Sequence, residues 1–224
     1  MRGWRRREEQ FKEVGNRIKD SDNVVAIHSY YIVKATVKRK GEYDLAFNES
    51  YKNTMNFLEL AQVRYSWRQF RNQEVEPDKI EAILKAAKLA PTACNYQPFK
   101  IWVMKSEPAK NALKEVTNYT FGAPVFFVVG VSKEQAWTRK FDQATFAHVD
   151  GAIVGTHMML EIAQLGLGTT WVGSFDAPRL QTMFPQMKEY DLIAIFPTGY
   201  PADNAKPAGT HTLSKEDEEL IEVL

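Results

Sequence analysis

The chain has 224 residues, enough for one domain with a real core. Hydrophobic residues make up 44% and charged residues 25%, ordinary for a soluble globular protein. The formal net charge of +1 gives no reason to expect nucleic acid or an anionic membrane as a partner.

Residues 1–54 form an N-terminal extension that differs in character from residues 55–224. It holds 12 Lys and Arg against 8 Asp and Glu, a balance of +4, while 55–224 carries a balance of −3. Met1 to Asp20 is basic and polar, with Arg5-Arg6-Arg7 near the start. It reads as a solvated or poorly ordered arm in preference to an anion-binding one. Val24 to Lys38 reads as a strand or hairpin and Lys38-Arg39-Lys40-Gly41 as a turn. Met55 directly precedes the organised region and is a candidate for the true start.

From Met55 the chain alternates helices and strands. A short helix is predicted over Phe57 to Val63. Pro77 opens a second helix at its first turn, with Ile80, Ile83, Leu84 and Ala87 on one face and a stop near Pro91. Phe99 to Met104 reads as a strand and Pro108 to Val116 as a helix. The β-branched apolar run Val125 to Val131 reads as a buried central strand. Ala144 to Leu167 is the longest predicted helix, apolar all round, so it must be buried within the subunit or against another. Its apolar part, Ala152 to Leu167, is interrupted by His157, Glu161 and Gln164 and is too short to span a bilayer. A strand at Thr169 to Val172, a helix at Ala177 to Met183, a strand at Leu192 to Phe196 and a polar tail complete the chain. This order implies an α+β layered domain over 55–224, with a central mixed β-sheet flanked by helices.

Cys94 is the only cysteine, so no intrachain disulfide is possible. A reducing compartment fits, and with no apolar leader at the N-terminus the expected location is cytoplasmic. Cys94 itself is expected to be a small buried filler. His148 and His157 are nine residues apart, which is not the i, i+4 pairing of a helical metal site, and no metal site is expected.

Two segments carry the chemistry. Arg64-Tyr65-Ser66-Trp67-Arg68 packs two guanidinium forks and a hydroxyl into five residues, a set that suits phosphate oxygens. Pro91-Thr92-Ala93-Cys94-Asn95-Tyr96-Gln97-Pro98 places polar side chains between two prolines, and its amides can read a heterocycle edge with both donors and acceptors. A phosphate reader and a ring reader together suggest a bound mononucleotide.

Five pieces in one order resemble the FMN-dependent nitroreductase family, also described as NADH oxidase/flavin reductase-like. They are Arg-x-Ser-x-Arg-x-Phe (Arg64 to Phe70), Ala-Pro-Thr-Ala-x-Asn-x-Gln-Pro (Ala90 to Pro98), Ala123-Pro124 before an apolar strand, Leu-Gly-Leu-Gly-Thr-x-Trp-Val-Gly-x-Phe-Asp (Leu165 to Asp176), and Gly-Tyr-Pro (Gly199 to Pro201). Each alone is weak; five in order over about 140 residues are not. Nothing in residues 1–54 resembles the family.

The resemblance implies an intertwined homodimer with FMN at the interface. It also implies ping-pong chemistry in which NADH or NADPH reduces FMN and a nitroaromatic, quinone or related small-molecule acceptor reoxidises it, with no catalytic side chain required. By position, Arg64 and Ser66 match the residues that hold the FMN phosphate and ribityl chain. Arg68 matches the cation near flavin N1 and O2, the alternative being a surface ion pair. Pro91, Thr92, Ala93 and Asn95 match a loop that reaches the flavin from the other subunit. Asn95 reads equally as a turn residue, and Gln97 either joins the loop's reading or braces it. Gly173 and Ser174 match the backbone beside flavin N5 and O4, with Asp176 as the N-cap of the next helix. Tyr119, Trp137 and Phe141 are candidate pocket walls or core residues.

The chain departs from the family in two places. Gly122 comes after Tyr119-Thr120-Phe121 where many relatives carry asparagine. The tail offers Lys215 nearest the spacing of the family's phosphate-binding cation, with Lys206 and His211 as alternatives. These departures leave room for a non-catalytic flavin-binding module, and fold alone leaves room for reductive dehalogenation or ene reduction. N-terminal sequencing of the chain from its native host is expected to give Met55 as the first residue; an earlier start would overturn that expectation.

Overall fold

A computed structural model describes residues 55–224 in full, together with the backbone of 23–28, 31–39 and 42–47. The expectation of a solvated basic arm over Met1 to Asp20 lies outside the described residues. The chain divides into two units, Met1–Thr54 and Met55–Leu224.

In the first unit, β1 (Asn23–His28), β2 (Tyr31–Arg39) and β3 (Glu42–Phe47) form an antiparallel sheet in the order β1-β2-β3. The hairpin falls where the sequence suggests; of the expected turn, Lys38 and Arg39 belong to β2 and residues 40–41 lie outside the described residues. The third strand is an addition, although the spacing of Tyr43, Leu45 and Phe47 at every second position, with the small or charged Asp44 and Ala46 between them, is a strand signal.

The second unit opens with α1 (Phe57–Val63), set by a capping box in which Asn56 and Glu59 exchange side-chain and backbone bonds. Helix α2 (Pro77–Leu89) starts on its proline and stops before Pro91. Strand β4 (Phe99–Met104) and helix α3 (Glu107–Val116) come next, α3 being capped by the Ser106 hydroxyl, which accepts from Ala109 N–H. Then come β5 (Val125–Val131), α4 (Ala147–Gln164), β6 (Gly168–Thr169), α5 (Ala177–Met183) and β7 (Asp191–Gly199), and the tail ends in a single turn, α6 (Asp217–Leu220). Asp176 caps α5 through its carboxylate, which accepts from Arg179 N–H. The strand expected over Thr169 to Val172 is reduced to Gly168–Thr169, with Val172 making a separate bridge to Ile195.

The sheet order is β4-β5-β7-β6, and its neighbouring strands all pair antiparallel. The mixed character expected from the sequence is confined to one parallel bridge, Ser66 to Thr169. Strand β5 is buried on both faces, which explains its unbroken apolar run. Val125, Phe127 and Val129 pack with Ile83, Ala87, Val154, Met158 and Ile162 of α2 and α4. Phe126 and Val128 face the other way, onto Leu113 and Val116 of α3 and Leu180 of α5. The result is a three-layer helix–sheet–helix unit. Among the described residues no helix is long and apolar enough to cross a membrane, and no cluster of His, Cys, Asp and Glu could hold a metal.

Helix α4 lies on the sheet through Gly151, Val154, Gly155, Met158 and Ile162. Of its other apolar residues, Ile153, Met159 and Leu160 are only half-buried and Val149 is exposed, so its all-round apolar character is not fully used within one chain. A Cβ on Gly155 would sit 2.6 Å from Trp171 Cζ3 and 2.8 Å from Phe196 Cζ. Both are rigid rings in edge-to-face contact, with centroids 5.0 Å apart. Gly155→Ala is therefore expected to lower the urea midpoint. The overpacking should outweigh the helix-propensity gain of about 1 kcal/mol and leave a net loss of about 1–2 kcal/mol. An unchanged or raised midpoint would show that the rings yield.

Candidate functional site

The segment after α1 is held in extended form by backbone bonds to two other parts of the chain. Ser66 bridges Thr169 in parallel, and Trp67 N–H donates to the Thr169 carbonyl at 3.0 Å. Beyond Arg68, Arg71 N–H donates to Tyr200 O at 2.8 Å, and Ala202 N–H donates to Gln69 O at 3.1 Å. Gly168 makes the first contact possible, since a Cβ there would lie 2.6 Å from the Trp67 ring. Buried Thr169 is fixed in turn by its hydroxyl, which donates to Pro197 O at 2.8 Å.

Pinned this way, Arg68 opens onto a cleft of about 220 Å³ lined also by Tyr119, Phe121, Thr170, Trp171, Val172, Gly173 and Ser174. Arg68 makes one weak bond, from Nη1 to Ser66 O at 3.3 Å, and no ion pair among the described residues. The surface ion pair considered for it is absent there. Arg64 is half-buried and likewise lacks a carboxylate partner among the described residues. The N–H groups of Gly173 and Ser174 have no protein acceptor among the described residues. The Ser174 carbonyl accepts from the Thr117 hydroxyl at 2.8 Å, and Tyr119 N–H donates to the same hydroxyl at 3.2 Å. One threonine thus ties the aromatic wall to the Gly173-Ser174 backbone.

Tyr119 is the one expected wall residue that lines the cleft. Trp137 stacks edge-to-face on Phe146 with centroids 4.9 Å apart, and Phe141 is 95% exposed. Phe121 and Trp171 take their places. Trp171 lies inside the Leu165 to Asp176 motif, a signal that was available in the sequence. Phe121 and Gly122 form a tight turn with φ of 52° and 71°, closed by Ala123 N–H donating to Thr120 O at 3.0 Å. Glycine suits that left-handed position, and the turn brings Phe121 to the cleft.

The Pro91–Gln97 loop does not line this cleft. Asn95 N–H donates to Thr92 O, Gln97 N–H to the Thr92 hydroxyl, and Gln97 Nε2 to Asn95 Oδ1 at 3.1 Å. Gln97 thereby braces Asn95, whose amide N–H groups have no acceptor among the described residues, and both residues are exposed. Cys94 is also exposed, with φ of 51°, which corrects the expectation of a buried filler. A left-handed turn leaves its thiol no core to fill.

Lys215 pairs with Glu219 at 3.2 Å, within the tail itself. The tail residue beside the Arg64–Arg68 segment is His211. Its Nε2 lies 3.4 Å from Gln62 O, and its ring is 5.6 Å from Tyr65, which stacks at 3.9 Å on Trp67. Burial pushes the Tyr65 hydroxyl pKa up. The two helix histidines are used locally, His148 Nε2 lying 3.0 Å from Asp191 Oδ2 and His157 Nδ1 lying 2.9 Å from Ile153 O.

A sequence profile of the Nitroreductase family matches residues 61–120 and 117–200. The chain belongs to the Nitroreductase family. A nitroreductase family protein from Clostridium difficile, known by crystal structure, is 32% identical, with a TM-score of 0.70 over 75% of this chain and 98% of its own. A Methanothermobacter thermautotrophicus protein, provisionally named NADH dehydrogenase/NAD(P)H nitroreductase, is 26% identical over 170 residues, 73% of this chain and 85% of its own. A Desulfovibrio desulfuricans protein solved in complex with FMN shares the fold at 23% identity and a TM-score of 0.62, over 75% of this chain and 96% of its own. The nitroreductase motifs fall on the cleft (Arg68, Gly173, Ser174), on its anchored approach (Arg64, Ser66) and on the separate Pro91–Gln97 loop.

The Gly199 to Pro201 motif serves as a brace. Tyr200 OH donates to the Glu76 carboxylate at 2.7 Å and accepts from Lys79 Nζ at 2.7 Å. The tyrosine bond is the largest influence lowering the Glu76 pKa below its ordinary value of 4.5, and it raises that of Lys79. A carboxylate with a lowered folded pKa contributes stability that is complete above the unfolded value and is lost as pH falls through the folded one. Unfolding midpoints measured from neutral pH into acid are expected to fall less steeply below pH 4.5 for Glu76→Gln than for the natural chain. Identical acid limbs would remove this brace from the account.

Proposed function

We propose that the chain is an FMN-dependent NAD(P)H oxidoreductase whose acceptors are planar, electron-poor aromatics such as nitroaromatics or quinones. The observation that carries this reading is a guanidinium, Arg68, with no ion pair among the described residues, set in an aromatic-walled cleft also lined by Gly173 and Ser174, whose N–H groups have no protein acceptor among those residues. That donor set fits a flavin ring, whose pyrimidine end gains negative charge on reduction and whose N5 and O4 accept hydrogen bonds. FMN, when bound, supplies the redox chemistry, taking a hydride from NADH or NADPH and passing two electrons to the acceptor.

The chain's own groups bind and orient. Arg64 and Ser66 hold the phosphate and ribityl chain, with His211 as the adjacent tail residue in place of Lys215. Arg68 stabilises charge in the ring, and the N–H groups of Gly173 and Ser174 face N5 and O4. Tyr119, Phe121 and Trp171 provide apolar faces that stack a nicotinamide and an aromatic acceptor in turn. The cytoplasm, where nicotinamide donors are available, is the proposed location.

A homodimer belongs to the same reading. The cleft of one chain, about 220 Å³, is below the roughly 300–1,000 Å³ of sites that enclose a cofactor. The ring-reading loop with Thr92, Ala93 and Asn95 does not line that cleft. Large apolar side chains stand exposed on α1 and at the end of α2, with Phe57 at 66%, Leu58 at 76% and Leu89 at 72%. A second copy would cover them and bring its own Pro91–Gln97 loop to the flavin.

The purified protein is expected to be yellow and dimeric and to bleach anaerobically on addition of NADH or NADPH. Arg68→Ala is expected to slow that bleaching about 10- to 100-fold, with Arg68→Lys intermediate. A flavin spectrum unmoved by both nucleotides would leave a binding module; a colourless monomer that takes up no FMN would end the flavin reading altogether.

A further inference from the structure

Resting on the flavin reading above, we propose that Asp150 is a positioning residue that holds the ring-reading loop Thr92–Gln97 in its binding conformation through the Ala93 amide. The loop is held in an unfavourable shape. Cys94, Asn95 and Gln97 have φ of 51°, 55° and 51°, so three of four consecutive residues are left-handed without being glycine. Such residues persist only where the surroundings over-determine them.

Most of what surrounds this loop is the loop itself. Its bonds run from Asn95 N–H to Thr92 O, Tyr96 N–H to Ala93 O, Gln97 N–H to Thr92 Oγ1, and Gln97 Nε2 to Asn95 Oδ1, with Phe99 N–H reaching back to Gln97 O. Among the described residues, one hydrogen bond ties residues 92–97 to a distant part of the chain. Ala93 N–H donates to Asp150 Oδ1 at 2.9 Å, across 57 positions.

Asp150 is a costly choice for that task, and the cost argues for a role. It is 1% exposed, and its Oδ2 has no hydrogen-bond partner among the described residues. A buried carboxylate with one oxygen unsatisfied is expensive, and neutral packing at the same point is usually at least as stable. Its place in the first turn of α4 offsets part of the cost, because helix N-terminal amides favour negative charge. The same placement sets the anchor on an element rooted in the sheet, since the next residue, Gly151, would clash with Val131 and Ile193 if it carried a Cβ. The loop that presents Asn95 is thus referenced to the core by a charge-assisted hydrogen bond to an immobile carboxylate.

The test compares the natural full-length chain with Asp150→Ala and Asp150→Asn. It reads the FMN and riboflavin dissociation constants and the amide hydrogen exchange of 91–97 against that of β5. Asp150→Ala is expected to weaken FMN and riboflavin alike by about tenfold, since a ring-reading loop acts without the phosphate. It should speed exchange in 91–97 by a similar factor and leave Val125–Val131 protected. Asp150→Asn keeps an acceptor for Ala93 N–H and is expected to stay within about threefold of the natural chain. Where the alanine variant does not fold, Asp150→Leu, closer in volume, replaces it in the same comparison. Unchanged flavin affinity with Asp150→Ala overturns the proposal, as does equal loss of protection in the loop and in β5, or an asparagine variant as weak as the alanine one. A natural chain that binds no flavin defeats the oxidoreductase reading instead, while the exchange comparison still decides whether Asp150 anchors the loop.

Discussion

The backbone bonds from Ser66 and Trp67 to Thr169 are the constraint on which the site depends. The five residues Arg64 to Arg68 have no regular structure of their own, and two long cationic side chains on a free segment would sample many positions. Bridging the segment to the edge of the sheet converts it into a short extra strand. Buried Thr169, bonded to the carbonyl of Pro197, transmits the rigidity of β7 to that edge. Gly168 is the steric condition for the whole arrangement, because the Trp67 ring occupies the space a side chain would need.

With the segment fixed, its charge becomes useful. A guanidinium beside a carboxylate is largely neutralised, and an incoming anion must compete for it. Arg64 and Arg68 have no such competitor among the described residues, whereas Arg71, Arg139 and Arg179 all form ion pairs with Asp203, Asp142 and Glu115. The contrast between these arginines within one surface separates structural cations from those held open. The N–H groups of Gly173 and Ser174 are open in the same sense, and Thr117 holds their backbone from behind. Positive charge and unfilled donors therefore converge on one aromatic-walled cleft, an arrangement that in the proposed oxidoreductase would stabilise a reduced flavin.

Much of the frame was legible in the sequence because it obeys short-range rules. The run Val125 to Val131, the proline-opened helix at Pro77 and the Asp176 cap each declare themselves within a few residues. The motif pieces located Arg68, Gly173 and Ser174, which the fold brings to one cleft. What the sequence did not show depends on contacts between distant segments. Trp137 and Phe141 are as aromatic as Tyr119, and only the tertiary arrangement sends one to Phe146 and the other to solvent. Lys215 has the better spacing, while in the structure it pairs with a glutamate four residues on and His211 is the tail residue beside Tyr65. Cys94 looked like core filler because periodicity says nothing about a left-handed turn. The strand expected over Thr169 to Val172 breaks after two residues because β7 pairs with Gly168 and Thr169 and then meets only Val172.

Gly122 gains a physical meaning from the turn in which it sits. A side chain there would find open space, so packing does not demand glycine, but a φ of 71° favours it. The left-handed pair Phe121-Gly122 reverses the chain before β5 and leaves a ring, with no amide side chain beside it, at the cleft. In the proposed oxidoreductase, polar contact with the flavin then falls to fewer groups, chiefly Arg68 and the Gly173-Ser174 backbone. A site with fewer polar contacts leans harder on the placement of each one, and that placement comes from the two frames that hold Arg68 and Gly173: the edge at Thr169 and the Thr117 bond to Ser174. The economy of side-chain chemistry at this cleft and the density of backbone anchoring around it are therefore two sides of one design.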